Sequence, residues 1–465
     1  MDSTAKLGQE KIGSLLMSFS IPAIVGMLVM SLYNVIDRVF IGNSAGSLGI
    51  AAITVGFPIM IVQFAFIGMI GMGATALVSI RLGQQKREEA ESIMGNALVL
   101  LVGLALVMTV LGLIFMDPLL RIFGASDDVM PLARTYISII LGASIFQSLS
   151  FGMNNFIRAE GNPRTAMATM IIGSVLNVLL APLFIFGFSW GMAGAGLATA
   201  LSQAVSAIWV MLYFVLGKST LKIRRENFRV DMATTRKMMA LGSAFFAMQF
   251  SQSILSAIMN TSLGIYGGDV AISGMGIVIS LMTLIMMPIV GINQGAQPII
   301  GYNYGAQRYD RVKSTLKYAA IAATVIATAG FVLIRLFPTQ LITIFNSQDA
   351  ELIAFGSNAL VLFLTFLPLI GFQIVGSGYF QAVGKPRQSL ILTLSRQVLI
   401  LIPALLILPR FFQLNGVLMA GPLADLIASA WTGGWLFVEL RDLRRRHARS
   451  RDGEMPAESP ARVGP

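Results

Sequence analysis

Long apolar runs alternate along the chain with shorter, mostly basic polar connectors. A helix needs about 20 apolar residues to cross roughly 30 Å of hydrocarbon. Runs of that length recur near 15–39, 51–80, 93–116, 132–156, 165–187, 192–215, 239–262, 272–301, 316–337, 351–380, 388–408 and 415–438. The pattern predicts an all-α membrane protein with 12 transmembrane helices, whose connectors around Phe188 and Gln413 are tight turns. Lys6 and Lys11 precede an apolar stretch from Ile12 to Leu32, too long for the core of a cleavable signal. It reads as a retained first span.

The charge distribution tests the span count. With the N-terminus inside, the inner segments are 1–14, 81–92, 157–164, 216–238, 302–317, 381–387 and 439–465, and they hold 27 of the 33 Lys and Arg. The outer side keeps only Arg121, Arg134, Arg335 and Arg410, while Arg38 and Arg396 fall at membrane depth. One missed helix would scramble every later loop, so the positive-inside rule supports twelve spans with both termini cytoplasmic. The expected location is a bacterial inner membrane, crossed many times. Topology accounts for the net charge of +11, and no nucleic-acid partner is expected. The segment 439–465 reads as a basic, disordered cytoplasmic tail with affinity for anionic lipids.

Composition agrees. Of the residues, 55% are hydrophobic and 12% charged, with a mean hydropathy of +0.77, where a soluble chain carries about 25% charged residues. The absence of cysteine removes disulfides and cysteine nucleophiles, and the one histidine, His447, lies in the tail. No P-loop motif occurs and no soluble segment is large enough for an ATPase. The reading is a non-enzyme without cofactor, in which any pumping draws on an ion gradient.

The sequence also repeats itself. Gly73-Ala74 recurs as Gly295-Ala296, Gly83 as Gly305, and Gln85 as Gln307; Leu119, Ile122 and Phe123 recur as Leu341, Ile344 and Phe345. With a one-residue slip, Ala159-x-Gly161-x-Pro163-Arg164 recurs as Ala382-x-Gly384-x-Pro386-Arg387, and Gly194 recurs as Gly416 without one. Two six-helix lobes follow, 15–215 and 239–438, joined by a basic cytoplasmic linker, 216–238, after a short N-terminus, 1–14. An even helix number gives both lobes one orientation, a repeat design of secondary transporters that bind substrate between the halves.

Ionisable groups inside a membrane are costly and become functional candidates. Asp37 is the only acid well inside the first six spans, and Asp425 in span twelve is the only comparable acid in the second half. Position alone leaves two readings of Asp37 open: a carboxylate that takes up a coupling ion, or an interfacial contact near the outer surface. Asp425 either binds a cation or bonds across helices, with Arg396 as a candidate partner. Amides at depth, among them Asn154, Asn155, Asn177, Gln249, Gln252, Asn260, Asn293, Gln294, Gln297 and Gln373, suit helix packing singly and a wet cavity together. The 27 methionines and 29 phenylalanines are mostly packing or lipid-facing, with a minority suited to an adaptable cavity wall.

The stretches YNVIDRVFIGN, RAEGNPR, GMAGAGLATALSQ and QGAQPIIGYNYGAQ, in this order over residues 10 to about 440, resemble the multidrug and toxic compound extrusion (MATE) family, and within it the bacterial MepA-like members. The resemblance implies cation-coupled export of varied, often cationic and aromatic drugs. Its first-lobe ion site maps onto Asp37, Asn177 and Thr199; Ala181 stands where the family carries a second aspartate, which leaves Asp37 alone and favours H+ over Na+ as the coupling ion. A Na+ site at Asp37, Asn177 and Thr199 stays open, and Asp425 is a reserve coupling site. No other metal is expected. The expected substrate cavity involves Met30, Asn154, Gln203, Met248, Gln252, Met286 and Gln294, in a chain that works as a monomer among membrane lipids. The alternative is a lipid-linked sugar flippase of the same superfamily.

Overall fold

The computed structural model describes residues 3–216, 219–345 and 349–451, and every regular element among them is helical. Nine helices are long and apolar enough to cross a membrane, and two bent pairs, Met130–Gly142 with Ser144–Ala159 and Ala350–Phe363 with Leu367–Ala382, each form one further span. The 58-residue stretch Pro386–Leu443 reverses at Gln413 (φ 51°, ψ −130°) and supplies two spans, so the number among the described residues is twelve.

Several connectors are shorter than the apolar pattern suggests. Spans one and two form one run, Ile12–Gly83, broken at Gly46 (φ 62°, ψ −153°). Spans seven and eight form another, Met232–Gly305, broken at Gly268 (φ 66°, ψ −164°). A side chain strains in that region, and glycine does not. The helices continue through 40–45 and 263–267, where falling hydropathy suggested loops. Helical residues also run past 438 to Arg451, so the first part of the expected tail is helix; residues 452–465 and the side chain of His447 lie outside the described residues, as does the side chain of Arg38.

The duplication is written in the backbone as well. Left-handed residues recur in register: Gly46 with Gly268, Gln85 with Gln307, and Gly161 with Gly384. Span four bends by 52° and span ten by 51° at corresponding places.

Packing shows how the lobes sit. At the end bearing the termini, a single apolar cluster joins both lobes, with Leu16, Phe19, Ile70 and Val78 against Met238, Ile292, Ile299 and Tyr302. At the other end each lobe keeps its own cluster, one around Ile41, Ile137 and Ala198 and one around Leu255, Leu360 and Val417. The lobes therefore meet at the terminus-bearing end and part toward the opposite one. Glycines permit the closest approach. A Cβ on Gly73 would lie 2.0 Å from the Met238 carbonyl oxygen, and one on Gly242 would lie 1.7 Å from that of Met69.

Candidate functional site

In the N-lobe, span one carries Asp37, span five Asn177 and span six Thr199, all buried. Residues four apart share a helix face. One turn farther from the terminus-bearing end stand Ile41, Ala181 and Ala195, which belong to one apolar cluster. Asp37, Asn177 and Thr199 therefore form the layer beneath it, three oxygen-bearing side chains under an apolar lid. Asn177 Nδ2 donates to Thr199 Oγ1 at 3.0 Å. The Asn177 Oδ1 atom is enclosed and has no hydrogen-bond partner among the described residues. Ala181 is fully buried, which keeps the lid apolar where a second carboxylate would have stood.

The C-lobe is built differently. Asp425 is 1% exposed and accepts from Arg396 Nε at 2.6 Å. Arg396 sits in a π-helical stretch, Ser395–Leu401, of span eleven, a local widening that often marks functional positions. Beside it, Gln397 Nε2 donates to Gln252 Oε1 at 3.2 Å. The acid of this lobe already has its counter-ion.

The floor of the cleft holds a charge that sequence reading assigned to a loop. Arg158 belongs to the helix Met153–Ala159 and is buried. Its Nη2 donates to Asn155 Oδ1 at 2.8 Å, and its Nη1 donates across the lobes to Gln294 Oε1. Thr75, Gln297 and Met72 line the same small polar cavity. The hydrophobic count ended span four at 156, before the arginine, although the helix continues to Ala159. The signal was present in the stretch RAEGNPR, whose role as a seam residue no spacing rule discloses.

The other expected cavity residues divide. Gln294 lies at the floor. Gln252 and Met30 are exposed on spans seven and one, and Met248 is partly buried. Met286 packs against both the shared cluster and that of the C-lobe. Gln203 is partly buried, and its enclosed Oε1 has no hydrogen-bond partner among the described residues. Asn154 is enclosed instead, donating from Nδ2 to the Ala166 carbonyl at 3.2 Å, and it packs span four against span five.

Comparison with known proteins fits this geometry. The MatE family matches residues 22–183 and 244–406, one match in each lobe. The multidrug export protein MepA of Staphylococcus haemolyticus (strain JCSC1435) is 27% identical over 429 residues, covering 90% of this chain and 92% of that one. A solved outward-facing conformation of a multidrug resistance MATE family transporter of the MOP superfamily superposes with a TM-score of 0.89 at 25% identity, covering 95% and 98% of the two chains. A MOP superfamily transporter from Pyrococcus furiosus, whose binding pocket is described as having reverse polarity, gives 0.88 at 25% identity over 94% and 98%. Matched across both lobes, the chain belongs to the MatE family, and it is a membrane transporter and not an enzyme.

Proposed function

We propose that this protein is a multidrug exporter that expels cationic organic compounds from a bacterium in exchange for protons. The observation that carries the reading is the buried layer of Asp37, Asn177 and Thr199 in the N-lobe, one turn from the apolar residues Ile41, Ala181 and Ala195. An ionisable side chain buried at membrane depth is a place where a coupling ion is taken up and released. In the C-lobe, Asp425 is held by Arg396 at 2.6 Å. The relatives' names, multidrug export protein among them, support the substrate class.

On this reading the closed, terminus-bearing end is cytoplasmic and the cleft opens outward. Arg158 at the closed floor repels cations there and favours their binding nearer Asp37. The chain acts as a monomer, since one copy supplies both lobes. A sodium-coupled mechanism is the second reading, favoured by the partnerless Asn177 Oδ1. A flippase for a lipid-linked sugar needs a strongly cationic cavity to hold pyrophosphate; Arg396 is taken up by Asp425 and Arg158 by the seam amides.

The test is uptake of a fluorescent organic cation into proteoliposomes under an imposed pH gradient and, separately, a sodium gradient. Uptake under the pH gradient alone supports proton exchange. Uptake only under the sodium gradient selects the second reading, and uptake under neither contradicts cation export.

A further inference from the structure

The linker between the lobes carries a surface that the chemistry above leaves unused. From Lys222 to Asp231 it is strapped along span three, the helix Arg87–Ile114. Buried Glu91 accepts from the Lys222 amide at 3.1 Å and pairs with Arg224 at 3.1 Å. Asn96 donates from Nδ2 to the Asp231 carbonyl at 3.1 Å, and a Cβ on Gly95 would lie 2.5 Å from the Asn227 carbonyl oxygen. These contacts fix the depth of the segment. The apolar run of span three begins near residue 93, so Glu91 and Asn96 stand on either side of the hydrocarbon boundary, about 7.5 Å apart along the helix axis. The strap lies at the membrane interface, at the level of the headgroups and the first acyl carbons.

What it presents there is both apolar and cationic. Phe228, Val230 and Met232 are 43%, 50% and 59% exposed. Lys222, Arg225, Arg229, Arg236 and Lys237 are exposed as well, and none of the five makes an ion pair among the described residues. The acids of the segment are already engaged: Glu226 pairs with Arg224, and Asp231 caps the helix Met232–Gly305. Apolar side chains interleaved with unpaired cations suit an interface, where the former enter the top of the hydrocarbon and the latter meet anionic headgroups.

The duplication supplies an internal control. At the shift that relates Gly83 to Gly305, Phe228 corresponds to Lys6, Arg229 to Leu7 and Val230 to Gly8, in the segment that leads into span one. That segment turns inward: Leu7 is fully buried, and Arg308 and Arg311 donate to the carbonyls of Gly8, Leu7 and Glu10. Entry into the first helix of a lobe therefore does not require an outward-facing apolar and basic strap.

We propose that segment 222–237 is a docking surface for anionic glycerophospholipid in the adjacent leaflet, with Phe228, Val230 and Met232 seated at the top of the acyl chains and the basic side chains on the headgroups. Charge selects the occupant, since unpaired cations at a bilayer surface favour a net negative headgroup over a zwitterionic one. The inference is independent of the transported compound and of the coupling ion.

The test uses the full-length protein in phosphatidylcholine vesicles, with a fluorophore on Val230→Cys or, as a reference, on Ile114→Cys at the far end of span three, where the side chain is 64% exposed. A small fraction of the lipid carries a nitroxide near the carbonyl end of one chain, either on phosphatidylglycerol or on phosphatidylcholine. The expected result at 230 is quenching about fivefold stronger by the anionic lipid, the factor one basic residue contributes at an anionic surface, against equal quenching at 114. The preference should vanish in about 1 M salt, where the screening length is about 3 Å, and in Arg225→Gln with Arg229→Gln. Arg236→Gln with Lys237→Gln is a second, separate pair that should weaken it, and unchanged quenching at 114 reports inserted, folded protein in both. Equal quenching of 230 by the two lipids, or a preference that survives both pairs of substitutions, overturns the proposal. So does quenching at 230 by neither lipid, which would place the segment in water or beneath a protein partner.

Discussion

Arg396 donates from Nε to Asp425 Oδ1 at 2.6 Å, between spans eleven and twelve, with the two side chains 15% and 1% exposed. Breaking a buried pair by removing one partner costs about 3–5 kcal/mol, whereas replacing both by apolar groups is often neutral. Asp425→Asn should therefore lower the thermal midpoint substantially, and the double variant Arg396→Leu, Asp425→Leu should recover most of the loss. Folded Asp425→Asn should keep the native pH dependence of transport. A stable Asp425→Asn protein whose transport no longer responds to pH would assign coupling to the C-lobe instead.

Gly83 and Gly305 meet across the axis that relates the lobes. A Cβ on Gly83 would stand 1.9 Å from the Tyr302 carbonyl oxygen, and one on Gly305 would stand 2.0 Å from that of Ile80; Ile80 and Tyr302 are themselves repeat partners. Gly83→Val should hold this end ajar and cut transport. Spin labels at the exposed, repeat-related positions Glu88 and Asp310 should report a longer distance in the variant. An unchanged distance distribution with full transport would show that the contact does not gate the cleft.

Glu160, in the turn between spans four and five, anchors the linker. It is fully buried and accepts from Ser219 Oγ, from the Thr220 amide at 3.0 Å and from the Tyr213 hydroxyl at 3.1 Å. Burial raises its carboxyl from the ordinary 4.5 to about 6, against the lowering effect of these hydrogen bonds. The folded protein thus holds this proton more tightly than the unfolded chain. Its contribution to stability is complete below pH about 4.5 and is lost as pH rises through about 6, a change on the order of 2 kcal/mol. Glu160→Gln should flatten the pH dependence of the thermal midpoint across that window. An unchanged slope would place the titration elsewhere.

Much of this was legible in the sequence. Apolar run length gave the span number, and the shared Gly-Ala, Gly and Gln positions gave the duplication, because both are local or periodic signals. Span ends were less legible: helices run past the hydrocarbon until a left-handed residue such as Gly46 or Gly268 breaks them, and hydropathy falls earlier. Asn177 with Thr199 was readable only through the family's motif. Arg158 was hidden, since a cross-lobe hydrogen bond depends on how distant helices pack.

Orientation has a clean test, because the chain contains no cysteine. Arg225 is exposed in the linker between the lobes. Arg225→Cys should resist a membrane-impermeant maleimide in intact cells and react after permeabilisation. Labelling of intact cells would invert the topology and the direction in which the cleft opens.

The central claim is that Asp37 couples export to protons one for one. One charge crossing about 100 mV releases about 2.3 kcal/mol, roughly a fiftyfold concentration ratio. Exchange of one proton for one monovalent cation moves no net charge, so voltage alone cannot drive it. The most direct measurement imposes voltage alone, then a pH difference alone, on proteoliposomes of native protein and of Asp37→Asn. The account predicts uptake of a monovalent fluorescent cation under the pH difference only, abolished in Asp37→Asn while folding is retained. Uptake under voltage alone, or full activity of Asp37→Asn, would contradict it.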